Sequence, residues 1–127
     1  HSDADVVAHA CADALLGACG LPDIGQLFPD TDEAWAGADS LGLLRRVAGE
    51  VRAAGFEPVN VDCAVVCDAP RIAPVRDEMS ARLSAAVGAP VTVKGRRTEG
   101  LGALGRGEGI AAWAVASVRP RRAGERS

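Results

Sequence analysis

The side chains best suited to chemistry fall into a few spaced groups. Asp5, His9 and Asp13 stand at i, i+4 and i+8, so on a helix all three project from one face. An imidazole between carboxylates suits a metal site, because the ring nitrogen is a good zinc donor and a carboxylate can fix its tautomer. The same spacing also makes an ordinary charged helix surface. Gly105-Arg106-Gly107-Glu108-Gly109 brackets two charges with three glycines, which lets backbone approach a ligand closely while Arg106 offers a fork to phosphate oxygens. It lacks the Gly-Lys-Ser or Gly-Lys-Thr ending of a P-loop. Asp23-Ile24-Gly25 and Phe28-Pro29-Asp30-Thr31-Asp32 add carboxylates in turn-forming sequence, able to hold ribose hydroxyls or a hard cation. Asp68-Ala69-Pro70-Arg71 closes a strand pattern, where free backbone groups can read a base edge. Cys11, Cys19, Cys63 and Cys67 form no Cys-x-x-Cys pair and have no histidine at finger spacing, which argues against thiolate zinc. Cys63 and Cys67 on one strand face would lie about 13 Å apart, too far to bridge. Reduced cysteines in a cytosolic protein are the expectation.

The elements that must position these groups follow from periodicity. Residues 3–19 read as a helix capped near Ser2 or Asp3 and stopped by Gly20 and Pro22. Residues 21–39 read as an ordered loop or a set of short turns. Ser40 can cap a second helix with Leu41, Leu44, Ala48 and Val51 on one face and its arginines and Glu50 outward, ending at Gly55. Val59, Val61, Cys63, Val65 and Cys67 share one face of a strand over 59–67. Ile72, Val75, Met79, Leu83 and Val87 step at helical spacing to Gly88, Val91–Lys94 is extended, and Ile110–Val118 is a strand apolar on both faces. These elements predict an α/β fold of α+β type: a two-layer sandwich whose mixed sheet is covered on one face by three helices. The doubly apolar last strand fits either burial on both sides or a subunit interface, and the open sheet face makes self-association through the sheet one way to cover it. The expected domain is 1–118, with 119–127 a basic, disordered tail.

Composition sets outer bounds. At 127 residues, 48% hydrophobic and 24% charged, the chain fits one folded domain. Aromatic residues make up only 3%, so stacking platforms for nucleic acid are not expected. No apolar run reaches the roughly 18 residues of a membrane span. The first forty residues hold eight acids and no lysine or arginine, whereas Lys94 to Arg122 is mainly basic. Such asymmetry can pair a cation-binding end with an anion-binding end.

Taken in order, His1-Ser2-Asp3-Ala4-Asp5 with His9, Asp13-Ala14-Leu15-Leu16-Gly17, Asp23-Ile24-Gly25, Phe28-Pro29-Asp30-Thr31-Asp32, Gly37-Ala38-Asp39-Ser40, Asn60-Val61-Asp62, Ala69-Pro70-Arg71, Thr98-Glu99 and Gly105-Arg106-Gly107-Glu108-Gly109 resemble the 2-C-methyl-D-erythritol 2,4-cyclodiphosphate synthase family. The resemblance runs from His1 to about Val118. It implies a cytoplasmic homotrimer of the non-mevalonate isoprenoid pathway, with sheets packed around the trimer axis and active sites between subunits. There a CDP-linked substrate cyclises with loss of CMP; no nucleic acid or membrane is implied. By resemblance His9 is a zinc ligand and Glu99 holds a second cation, Mg²⁺ or Mn²⁺. His1 and Ser2 contact phosphate, Asp23 and Gly25 hold ribose, and Phe28, Asp30 and Asp32 lie with them around substrate. The turn Cys67, Asp68, Ala69, Pro70, Arg71 to Ala73 takes cytosine, while Arg97, Thr98 and Arg106 face the phosphates. Glu99 and Arg106 are the residues expected to act in catalysis.

Three departures qualify the likeness. The family's other zinc ligands form an Asp-x-His motif upstream of His-Ser-Asp, whereas this chain opens on His1, so the expectation is either a preceding segment that carries them or a chain that does not hold zinc as the family does. Gly95-Arg96-Arg97-Thr98-Glu99 stands for Ala-Thr-Thr-Thr-Glu, replacing hydroxyls by guanidinium groups. Ala103-Leu104 stands for Phe-Thr, at a cavity on the trimer axis. An alternative reading consistent with these changes is a non-catalytic trimeric homologue that still binds nucleotide or phosphate.

Overall fold

A three-stranded sheet of order β2-β1-β3 forms the base of the molecule, with β1 (Phe56–Cys67) at its centre. The computed structural model describes residues 2–28, 39–67, 73–99, 101–105 and 110–125. β2 (Val91–Arg97) runs parallel to β1 and β3 (Ala111–Pro120) antiparallel to it. A parallel pair needs a crossover, and α4 (Arg76–Val87) supplies it after a 3₁₀ turn at Ala73–Val75. α1 (Ser2–Ala18) packs on β3, α3 (Ser40–Ala53) lies between α1 and α4, and α4 covers β2. Two single-turn helices, α2 (Ile24–Leu27) and α5 (Gly102–Gly105), interrupt the connections. Three helices on one face of a mixed sheet is the architecture expected from the sequence.

The core is aliphatic. Leu15, Leu16, Leu43, Leu44, Val47, Val51, Val61, Val65 and Val87 are fully buried, joining the helical stripes to the inner face of β1. Cys11 and Cys63 are buried there too, and they and Cys19 are free thiols. A hydrogen bond to Cys63 and burial push the Cys11 thiol far up, which leaves it unreactive in the ordinary pH range.

Several details differ from the sequence reading, each for a local reason. Val59 was expected inward, but a bulge between Pro58 and Asn60 turns it out: Val59 is exposed and Pro58 buried. Proline has no N–H for the ladder, so it sits where pairing is irregular. Asp39, not Ser40, caps α3 by accepting from the Gly42 N–H at 3.1 Å. A Cβ at residue 42 would meet the Asp39 carboxylate at 2.4 Å, so glycine gives the cap its room. Arg52 does not face outward: its Nε donates to Glu57 at 2.9 Å and its Nη2 to the Val87 carbonyl at 2.9 Å, closing the C-terminal end of α4. The last strand runs past Val118 to Pro120, and the following residues fold back, with Arg119 donating to both Glu125 oxygens at 2.8 and 2.6 Å and the Arg121 N–H donating to the Gly55 carbonyl at 2.9 Å.

β3 is apolar on both faces as expected, and the faces differ in cover. Ala112, Ala114 and Ala116 turn toward the core, while Trp113 and Val115 on the opposite face are 61% and 74% exposed. Trp113 stands opposite Ala64 on β1. On the same face Lys94 pairs with Asp62 at 2.9 Å.

Candidate active site

The predicted metal-binding face lies on α1, and the structure divides its three members. Asp13 is committed elsewhere: its Oδ1 accepts the Ile24 N–H at 3.0 Å, tying the start of α2 to α1. His9 is half-buried, and its Nε2 is buried without a hydrogen-bond partner among the described residues. A desolvated ring nitrogen of this kind costs free energy unless something binds it, and a metal ion is one group that fits. Among the described residues no cluster of three or more His, Cys, Asp or Glu could hold a metal, so His9 is a single donor and the remaining ligands of a four-coordinate zinc are not in this set.

The Asp23–Phe28 segment is a single capped helical turn. Asp23 caps α2 through Oδ1, which accepts from the Gln26 N–H at 2.9 Å, and Ile24 is buried beneath the turn. The Phe28 N–H closes it on the Ile24 carbonyl at 2.8 Å, and the Phe28 ring lies 4.5 Å from the Arg46 guanidinium. Gly25 needs no bare Cα for folding, since a Cβ there would make only an ordinary 3.6 Å contact.

The second cluster gathers at the carboxyl ends of β1 and β2, the end of a parallel pair where ligands usually bind. Cys67 and Arg97 are register partners there. Arg97 is exposed and Thr98 half-buried. Arg96 turns its Nη1 back to the Gly95 carbonyl at 2.9 Å. Glu99 follows with φ of 59°, the one non-glycine residue with left-handed backbone among those described, in a turn closed by the Leu101 N–H on the Thr98 carbonyl at 3.2 Å. Holding a glutamate so costs on the order of 1–2 kcal/mol, and such strain concentrates at functional positions. Ala73 opens the turn into α4 and is exposed. Ser2 begins α1 and Cys67 ends β1. His1, Asp30, Asp32, Asp68, Ala69, Pro70, Arg71 and Arg106 lie outside the described residues.

Sequence reasoning missed a cavity of about 470 Å³ where α1 and α3 begin and the chain enters α4. Asp5, Ser40, Arg45, Met79 and Arg82 line it. Its volume falls within the range of small-molecule sites. Asp5 and Ser40 stood in motifs, but nothing marked the cavity itself, because it is made by three helix ends far apart in sequence. Among the described residues no helix is long and apolar enough to cross a membrane.

Residues 1–119 match the YgbB family. A protein of Aromatoleum aromaticum named 2-C-methyl-D-erythritol 2,4-cyclodiphosphate synthase is 61% identical over 119 residues, covering 91% of this chain and 72% of the relative. Among solved structures, the bifunctional IspDF of Campylobacter jejuni superposes with a TM-score of 0.85 at 38% identity, over 95% of this chain and 34% of that one. A CDP complex of IspF from Plasmodium falciparum gives 0.78 at 28% identity, over 92% and 72%. With the family match spanning nearly every residue and relatives of one name at this identity, the chain belongs to the YgbB family of 2-C-methyl-D-erythritol 2,4-cyclodiphosphate synthases.

Proposed function

We propose that the chain catalyses the reaction its relatives are named for, converting 4-CDP-2-C-methyl-D-erythritol 2-phosphate to the 2,4-cyclodiphosphate with release of CMP. The observation that carries this reading is 50–61% identity to synthases of that name over almost the whole chain. An oxygen of the 2-phosphate forms a bond to the β-phosphorus, the bond from that phosphorus to the bridging oxygen breaks, and CMP leaves with the electron pair. No protein group is consumed, so positioning and charge neutralisation dominate. Bound divalent ions would supply Lewis-acid stabilisation of the phosphoryl oxygens.

In this reading the imidazole of His9 holds zinc, together with donors outside the described residues, and Glu99 holds Mg²⁺ or Mn²⁺. The orphaned Nε2 and the left-handed Glu99 backbone support the two assignments. Asp23 spends one oxygen on its cap and offers the other to a ribose hydroxyl, with Gly25 leaving room beside it. His1, Ser2, Arg97, Thr98 and Arg106 take phosphate, Cys67 to Ala73 takes cytosine, and Phe28, Asp30 and Asp32 complete the site within the 1–118 unit. The phosphate end carries more positive charge than hydroxyls alone would give, because Arg96 and Arg97 stand at the end of β2. A homotrimer with sites between subunits is supported by the uncovered Trp113 and Val115, and free thiols suit a cytoplasmic protein. The test is direct: the zinc-supplemented protein is incubated with the CDP-linked substrate and Mg²⁺ or Mn²⁺, following CMP by chromatography and the cyclic diphosphate by ³¹P NMR. Stoichiometric appearance of both is expected; their absence refutes the reading.

A further inference from the structure

Asp13, which the structure ties to Ile24 rather than to a metal cluster, and Arg46, which no ligand-contacting set above includes, grip the two ends of one segment. Asp13 lies one helical turn beyond His9 on α1 and accepts the Ile24 N–H at 3.0 Å across eleven residues of sequence. That amide sits between Asp23 and Gly25, so the bond fixes the backbone that presents both residues. At the other end the exposed Arg46 of α3 places its guanidinium 4.5 Å from the centre of the Phe28 ring, within the range of a cation–π contact. Between these anchors the segment is one helical turn with Ile24 buried under it and a cap at Asp23. A helix of four residues cannot hold itself together in water, so its placement must come from the neighbours. α1 fixes its start and α3 its end.

We infer that Asp13 and Arg46 are positioning residues for nucleotide binding, acting through the Asp23–Phe28 segment and touching neither substrate nor metal. The inference rests on the reading of Asp23 and Gly25 as ribose contacts. It makes α1 a ruler: the helix that presents His9 also sets where the ribose-binding turn lies relative to it. Loss of either anchor loosens the turn and weakens binding in ground state and transition state alike, so KM rises while kcat holds.

CDP alone, by calorimetry, and the synthase reaction test this in D13A, D13N, R46A and R46K, with D23A as reference. D13A is expected to raise the CDP Kd and the KM about tenfold, as for loss of a charge-assisted bond, with kcat within about twofold. D13N keeps an acceptor oxygen and recovers most of the loss. R46A raises both constants about two- to fourfold and R46K less, as for an exposed cation–π pair. Because both anchors act on one segment, the double variant departs from additivity. Should D13A unfold, R46A carries the test. Unchanged Kd and KM in R46A and in a folded D13A, a D13N as impaired as D13A, or a fall in kcat with KM unmoved, would overturn the positioning role. An unchanged CDP Kd in D23A would instead sink the ribose assignment, which separates the two failures.

Discussion

Trp113 gives the sharpest test of how this chain assembles. Its side chain stands on the sheet face away from the helices, 61% exposed opposite the small Ala64, with Val115 beside it at 74%. A fully accessible tryptophan presents roughly 250 Å², so about 150 Å² of Trp113 is open. Covering that area against a second copy is worth about 4 kcal/mol per protomer at 25 cal/mol/Å². Serine at the position keeps about a quarter of it, so W113S forfeits about 3 kcal/mol per protomer, or about 9 kcal/mol over the three protomers of the proposed trimer. At 1.4 kcal/mol per tenfold this moves the trimer dissociation constant by about six decades. The folded protomer should lose under about 1 kcal/mol, since the side chain is mostly in water there. Sedimentation velocity across a micromolar concentration series should find a trimer in the parent protein and monomer in W113S, with the far-UV spectrum of the protomer retained. A monomeric parent, or a W113S trimer as tight as the parent's, refutes the reasoning that this face is an interface.

Other expectations follow from individual contacts. L44A empties a fully buried site between α3 and the sheet and should cost about 2–5 kcal/mol in urea denaturation, with the fold retained. H9A should abolish bound zinc, read by metal analysis of protein refolded with equimolar zinc, while leaving the melting temperature of the metal-free protein within a few degrees. The fork from Arg119, with a backbone bond from Arg122, holds the Glu125 carboxyl down at about 2 against its ordinary 4.5. A depressed carboxylate stabilises above its unfolded value and loses that contribution as pH falls through the folded one. The melting-temperature gap between the parent and E125Q should therefore be constant above about pH 5 and close between pH 4.5 and 2; a gap that widens in acid contradicts the assignment.

How far the sequence could be read depended on the range of the interaction. The helices over α1, α3 and α4 were legible because burial of an aliphatic stripe leaves a 3.6-residue period, and the strands because alternation survives even with few aromatic residues. The bulge at Pro58 was half legible: proline signals irregular pairing, but which neighbour turns out depends on the register with Val118. Arg52 was misread because its helical position says outward, while the acceptors that draw it in, Glu57 and the Val87 carbonyl, come from other elements. Of the candidate site, the ordered motifs gave the family and the residue roles it implies.

By itself, then, the sequence determined the elements, their order and the chemistry available at His9, Asp23, Glu99 and Arg97, because residue type and local spacing are written along the chain. Tertiary structure decided which of those groups are free to act. It took Asp13 from the expected metal-binding face and bound it to Ile24, left His9 Nε2 buried without a partner among the described residues, and brought Cys67 and Arg97 to one end of the parallel pair. Spacing fixes which groups share a face; only packing fixes which of their hydrogen-bonding positions the rest of the fold has already filled.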